Sequence, residues 1–234
     1  MKLSCDECKN INEAINFELG CIFVAVPKTG TTSVRTQISS GGDYLIRNPH
    51  LTLHQLKQLI YPFLLKCNLR SNFTFPTDKD LPTDKQVFDF SEILFKKMYK
   101  FGSVRNPWSR VYSLYTRRES LQCESVMSFS EFVNQIYLAS DTCLHPFKTE
   151  SQLDWFTDYD GNVIADYIYK IENLDDAISK ISEQTNGRVV LQNRHLNRVN
   201  MVSTRYQEIY SDRDKKIIER LFEKDIDYFK YTFN

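Results

Sequence analysis

The chain has 234 residues, 41% of them hydrophobic and 13% aromatic, which fits one globular domain with its own core and excludes a disordered chain. Lys and Arg together equal Asp and Glu at 30 each, so the formal net charge is zero. That excludes a general nucleic-acid or membrane-surface binder and makes any basic site a local one.

Residues 1–18 are expected to form a short polar N-terminal arm, with a single domain over 19–234. The start, Met1 to Cys8, lacks the apolar core of a signal peptide, and no apolar run is long enough to span a bilayer. A cytoplasmic protein is the expectation. Cys5 and Cys8 have a C-x-x-C spacing, but no second pair completes a zinc site, so a reduced, exposed pair is favoured over a metal. Cys21 sits in an apolar run and acts as a small hydrophobe.

Cys21-Ile-Phe-Val-Ala-Val26 is an unbroken apolar run closed by Pro27, which predicts a fully buried strand. Pro27-Lys28-Thr29-Gly30 then predicts a tight turn, and Thr31, Thr32 and Ser33 open a helix over about 31–40. First-turn amides have no partner within a helix, and the helix dipole is positive there. With one Lys and several hydroxyls these amides make a phosphate site. The nucleotide-triphosphate loop G-x-x-x-x-G-K-[ST] is a related device, but here Lys28 precedes Gly30 and none follows.

Further on, Tyr44–Ile46 predicts a short second strand, and Thr52 caps a helix through Leu53, Leu56, Leu59 and Ile60. Residues 68–86, with Pro76 and Pro82, are expected to be a loop or a lid. Met98–Val104 predicts a third strand. It ends in Arg105-Asn106-Pro107, and Pro107 suits a first helical position. Ser113 lies eight residues after Arg105, about two helical turns. This second strand-to-helix corner again puts a cation at a strand's C-terminal end, where open parallel sheets bind ligands. A helix near 128–138, a strand over Tyr167–Glu172, a helix from Asn173 to about Gln184 and an amphipathic helix over 212–224 complete the pattern. The fold class is therefore α/β, a P-loop-like parallel sheet flanked by helices.

The stretch Pro27-Lys-Thr-Gly-Thr-Thr-Ser33 resembles the 5′-phosphosulfate loop of sulfotransferases, and Arg105-Asn-Pro with Ser113 resembles their 3′-phosphate site. The wording is nearest the carbohydrate sulfotransferases. Gln152 with Trp155, the strand closing in Lys170-Ile-Glu-Asn-Leu174, Asn197 and the C-terminal segment to Tyr231 extend the likeness over nearly everything after residue 18. Eukaryotic members usually carry a membrane anchor, so its absence here points to a bacterial-type relative or a shortened chain.

The resemblance implies a sulfotransferase fold and the donor 3′-phosphoadenosine-5′-phosphosulfate (PAPS). A sulfuryl group would pass to a hydroxyl of a carbohydrate or small molecule, with no metal and no nucleic-acid partner. Lys28 would act at the oxygen bridging phosphate and sulfate. Thr29, Gly30, Thr31, Thr32 and Ser33 would hold the 5′-phosphate, and Arg105 and Ser113 the 3′-phosphate. His50 resembles the catalytic His of some heparan-type members; a helix-start packing role stands beside it at nearly even weight. His54 is second, Asp43 stays open, and His145 and His195 fit structural or acceptor-contacting roles. Lys170, Asn197 and Arg198 are weaker candidates for either substrate, and Arg188, Arg194, Arg198 and Arg205 for an anionic glycan. The alternatives are a P-loop nucleotide kinase, which lacks its Lys and metal carboxylate here, and a non-catalytic nucleotide-binding module on the same fold.

Overall fold

A computed structural model describes residues 10–41, 43–68, 82–120, 127–138, 151–193 and 205–233. Its centre is a four-stranded sheet: β1 (Ile15–Asn16), β2 (Cys21–Val24), β3 (Tyr99–Val104) and β4 (Tyr167–Lys170), in that spatial order. β2, β3 and β4 run parallel, with Phe23 opposite Phe101 and Phe101 opposite Tyr167, while β1 is an antiparallel edge. Strand β1 and the buried Ile11 and Ala14 come from the stretch expected to be a polar arm.

The apolar run is buried because both faces of the sheet are covered. Successive side chains point to opposite faces. Ile22, Val24 and Val26 face one core, and Cys21, Phe23 and Ala25 the other. The first core is closed by helices α2 (Leu53–Asn68), α3 (Asp84–Lys97), α4 (Pro107–Ser120), α5 (Phe129–Tyr137), α7 (Asp212–Leu221) and α8 (Glu223–Phe229). The second is closed by α1 (Thr31–Ile38) through Val34 and Ile38, and by α6 (Leu174–Gln184) through Ala177 and Ile181. Each fully buried Val, Ile or Phe contributes about 1.5–3 kcal/mol, so this two-sided burial fixes the strand and leaves its exit no slack.

Most elements fall where the residue patterns place them. Thr52 and Gln55 exchange side chain to backbone bonds of 3.2 and 2.9 Å at the start of α2. Three differences have local reasons. Tyr44 makes only an isolated bridge to Asn10, because the apolar run there is too short to build a ladder. Residues 84–86 belong to α3, which Thr83 and Gln86 start with a reciprocal cap; the rest of the expected lid over 69–81 lies outside the described residues. The C-terminal helix breaks at Phe222 into α7 and α8. Among the described residues no helix is long and apolar enough to cross a membrane.

Candidate active site

Parallel strands bring their C-terminal ends to one edge. There β2 delivers residues 25–30, β3 delivers Arg105, and β4 delivers Ile171 and Glu172. Gly30 precedes α1 with φ of 75°, a left-handed conformation that favours glycine. A Cβ there would stand 2.8 Å from the Ile171 side chain, so the loop lies directly against the exit of β4. Lys28 also has a positive φ, 69°. That is costly for a residue with a Cβ and marks stored backbone strain.

Five consecutive carbonyls of this loop are captured by side chains. His50 Nδ1 lies 2.7 Å from the Ala25 oxygen, and Thr29 Oγ1 donates to Val26 at 2.9 Å. Arg110 Nε donates to Pro27 at 3.1 Å, and Arg105 Nη1 reaches the Lys28 oxygen at 3.4 Å. Ser103 Oγ donates to Thr29 at 2.9 Å and also lies 2.8 Å from Thr29 Oγ1. A trans peptide points its C=O and N–H in opposite directions. Fixing the oxygens of Pro27, Lys28 and Thr29 therefore turns the amides of Lys28, Thr29 and Gly30 the other way. The first turn of α1 adds the amides of Thr31, Thr32 and Ser33. The product is a row of N–H groups at a helix N-terminus, a nest of the kind that suits an anion. Thr29 is fully buried and serves the loop's own structure; Thr31 is buried, and Thr32 and Ser33 are half-buried.

Arg105 is half-buried beside this nest. Its Nε donates to Ser109 Oγ at 2.9 Å. Ser113 follows Ser109 one turn along α4, on the same face. Gln152 clamps the Arg105 backbone from both ends, its Oε1 accepting the amide at 2.9 Å and its Nε2 donating to the carbonyl at 2.8 Å. A carboxamide offers a donor and an acceptor on adjacent atoms. Buried Asp225 holds that amide in turn, accepting from the Gln152 backbone N–H at 2.8 Å and side chain at 3.3 Å. Glu172 accepts the Asn106 amide at 2.7 Å. Burial pulls the Arg105 pKa below its ordinary value, and Glu172 pushes it back.

The structure thus brings Lys28, His50 and Arg105 to one edge. Ala25, the partner of His50, precedes Lys28 by three residues. A carbonyl only accepts, so His50 Nδ1 carries the proton of this contact. His54 lies one turn into α2 and packs against Tyr159, with ring centroids 3.7 Å apart, and its Nε2 is buried. Asp43 is exposed. Lys170 places Nζ 4.7 Å from the centre of the Tyr231 ring. Arg188 donates to the Thr185 carbonyl at 3.1 Å, and Arg205 is exposed. Cys5, Cys8, His145, Arg194, His195, Asn197 and Arg198 lie outside the described residues.

Sequence reasoning missed Ser103, Ser109, Arg110 and Glu172. The four-residue spacing of Arg105, Ser109 and Ser113 was a usable signal for Ser109. Nothing in the sequence marks Ser103, whose partner is a carbonyl on a neighbouring strand's exit.

A family model described as "Sulfotransferase family" matches residues 18–232. Comparison with curated proteins found no match, and comparison with solved structures found none. The matched span takes in the nest, the arginine corner and the C-terminal clamp together, and the chain belongs to the sulfotransferase family.

Proposed function

We propose that this chain transfers the sulfuryl group of PAPS to a hydroxyl of a carbohydrate or small-molecule acceptor. The observation that carries this reading is the capture of every carbonyl from Ala25 to Thr29, which turns a row of amides, with Lys28 among them, toward a helix start beside Arg105. Amides, hydroxyls and two cations fit a donor with two separated phosphate groups.

The nest and the hydroxyls of Thr31, Thr32 and Ser33 hold the 5′-phosphate. Arg105, Ser109 and Ser113 hold the 3′-phosphate. Lys28 neutralises the charge that grows on the bridging oxygen, as preorganised positive charge does in phosphoryl transfer. His50 Nε2 takes the proton of the acceptor hydroxyl. Lys28 and the helix dipole supply positive charge that Mg²⁺ supplies in kinases.

The test is turnover of PAPS with a panel of saccharide and simple alcohol acceptors. Lys28→Ala should lower turnover by about a thousandfold. His50→Ala should lower it by about a hundredfold while affinity for 3′-phosphoadenosine-5′-phosphate (PAP) changes little. A His50→Ala protein with normal turnover returns His50 to a packing role. Transfer from Mg-ATP in place of PAPS contradicts the proposal.

A further inference from the structure

Arg110 is 1% exposed, among the largest fully buried side chains of the protein. A guanidinium is a poor choice for a core position, because removing its charge from water is costly unless its hydrogen bonds are met. On one side it faces the Phe222 ring, 5.9 Å from the ring centre. On the other, Nε donates to the Pro27 carbonyl at 3.1 Å. Its backbone is fixed as part of α4, where its amide donates to Asn106 at 2.8 Å. The side chain therefore reaches from a rigid helix to the single peptide unit that joins Pro27 to Lys28.

That peptide unit is where direction matters most. Its oxygen is held inward by Arg110, so its N–H, which belongs to Lys28, must point outward. Lys28 then continues with φ of 69°, a conformation that a non-glycine residue keeps only when its surroundings impose it. The Val26 and Thr29 carbonyls are held by the short hydroxyl side chains of Thr29 and Ser103, whereas the Pro27 carbonyl is held by this long buried side chain.

We propose that Arg110 is a positioning residue for the transfer step. By fixing the plane of the Pro27–Lys28 peptide it keeps Lys28 left-handed and aims the Lys28 amide and side chain at the group being transferred. This rests on the proposed sulfotransfer reading for its kinetic consequence. Its conformational consequence does not depend on that reading.

Arg110→Met keeps the stem and removes the donor; Arg110→Lys keeps the charge and one donor. Both are made in the full chain and compared below their melting temperatures. The backbone chemical shifts of Lys28 in the free protein report its left-handed conformation and need no donor. They should move toward ordinary values in Arg110→Met and stay closer to wild type in Arg110→Lys. Turnover of PAPS should fall about thirtyfold or more in Arg110→Met, with a smaller loss of PAP affinity, and Arg110→Lys should recover part of it. A merely structural role would lower the melting temperature and leave both Lys28 shifts and turnover per folded molecule unchanged; that result overturns the proposal. Failure of both variants to fold also overturns it, because Arg110 would then serve the fold and not the loop. Displaced Lys28 shifts in Arg110→Met, alongside a wild-type protein that does not turn over PAPS, would sustain the conformational role and sink the sulfotransfer reading alone.

Discussion

Lys28 carries the account at the scale of a single residue. It holds a left-handed φ of 69° in a chain whose other described positive-φ residues without glycine's freedom are Asn186 and Lys230, both at the ends of helical segments. Left-handed backbone costs a residue with a Cβ about 1–2 kcal/mol. If the strain serves the site, removing it should stabilise the protein while destroying its function. Lys28→Gly should therefore raise unfolding free energy by about 1 kcal/mol in urea titration and abolish PAPS turnover. A Gly variant that is less stable than wild type would mean that the lysine side chain supports the fold. Lys28 was legible from its neighbours Pro27, Thr29 and Gly30, since a cation among hydroxyls and a turn glycine is a local pattern. Its partners were not. The Pro27 and Thr29 carbonyls are held by Arg110 and Ser103, which lie 83 and 74 residues away along the chain.

The elements matter here for what they hold in register. Strand β3 ends at Val104, and Arg105 leaves it at the level where β2 releases its loop. Gly102 in that strand lies against Phe156 and the Val24 carbonyl, where a Cβ would stand 2.6 and 2.7 Å away, so the close approach of these strands requires glycine. The backbone of Arg105 is then set by Gln152, and Gln152 by Asp225 from α8. Asp225 is fully buried and also accepts from Ser151 Oγ at 2.5 Å and from the Leu153 amide at 3.0 Å. Asp225→Asn turns one acceptor into a donor facing other donors. It should cost about 3 kcal/mol of stability by urea titration and weaken PAP binding through Arg105. A stable variant with normal affinity would uncouple the C-terminal helix from the arginine corner. Strand-to-helix corners were visible in the sequence because apolar runs, Pro and Gly punctuate them. The clamp was not, because a glutamine, an aspartate and an arginine spread over 105–225 share no period.

Across the whole molecule, a chain of zero formal net charge brings Lys28 and Arg105 to one edge of a sheet buried on both faces. That burial has a pH signature. It pushes the Cys21 thiol up to about 12, and it raises the hydroxyls of Tyr99, Tyr169, Tyr210 and Tyr231 above their ordinary values. The folded state therefore holds these protons more tightly than the unfolded chain. The Cys21 contribution to stability is complete below pH about 9 and is lost as pH rises toward about 12, and the tyrosine contribution begins to be lost above pH about 10. Urea unfolding should show stability level up to about pH 9 and falling steadily above it, and a profile flat through pH about 11 would contradict the packing of both cores. The class of the fold followed from periodicity, whereas the antiparallel edge strand Ile15–Asn16 did not, because two residues carry no period.

The most direct measurement is calorimetric titration of the wild-type chain and of Arg105→Ala with PAP, against AMP, ATP and GTP. PAP should bind at least a hundredfold more tightly than AMP, about 3 kcal/mol, and Arg105→Ala should remove most of this difference. Equal affinity for PAP and AMP, or a preference for Mg-ATP, would contradict the proposed donor.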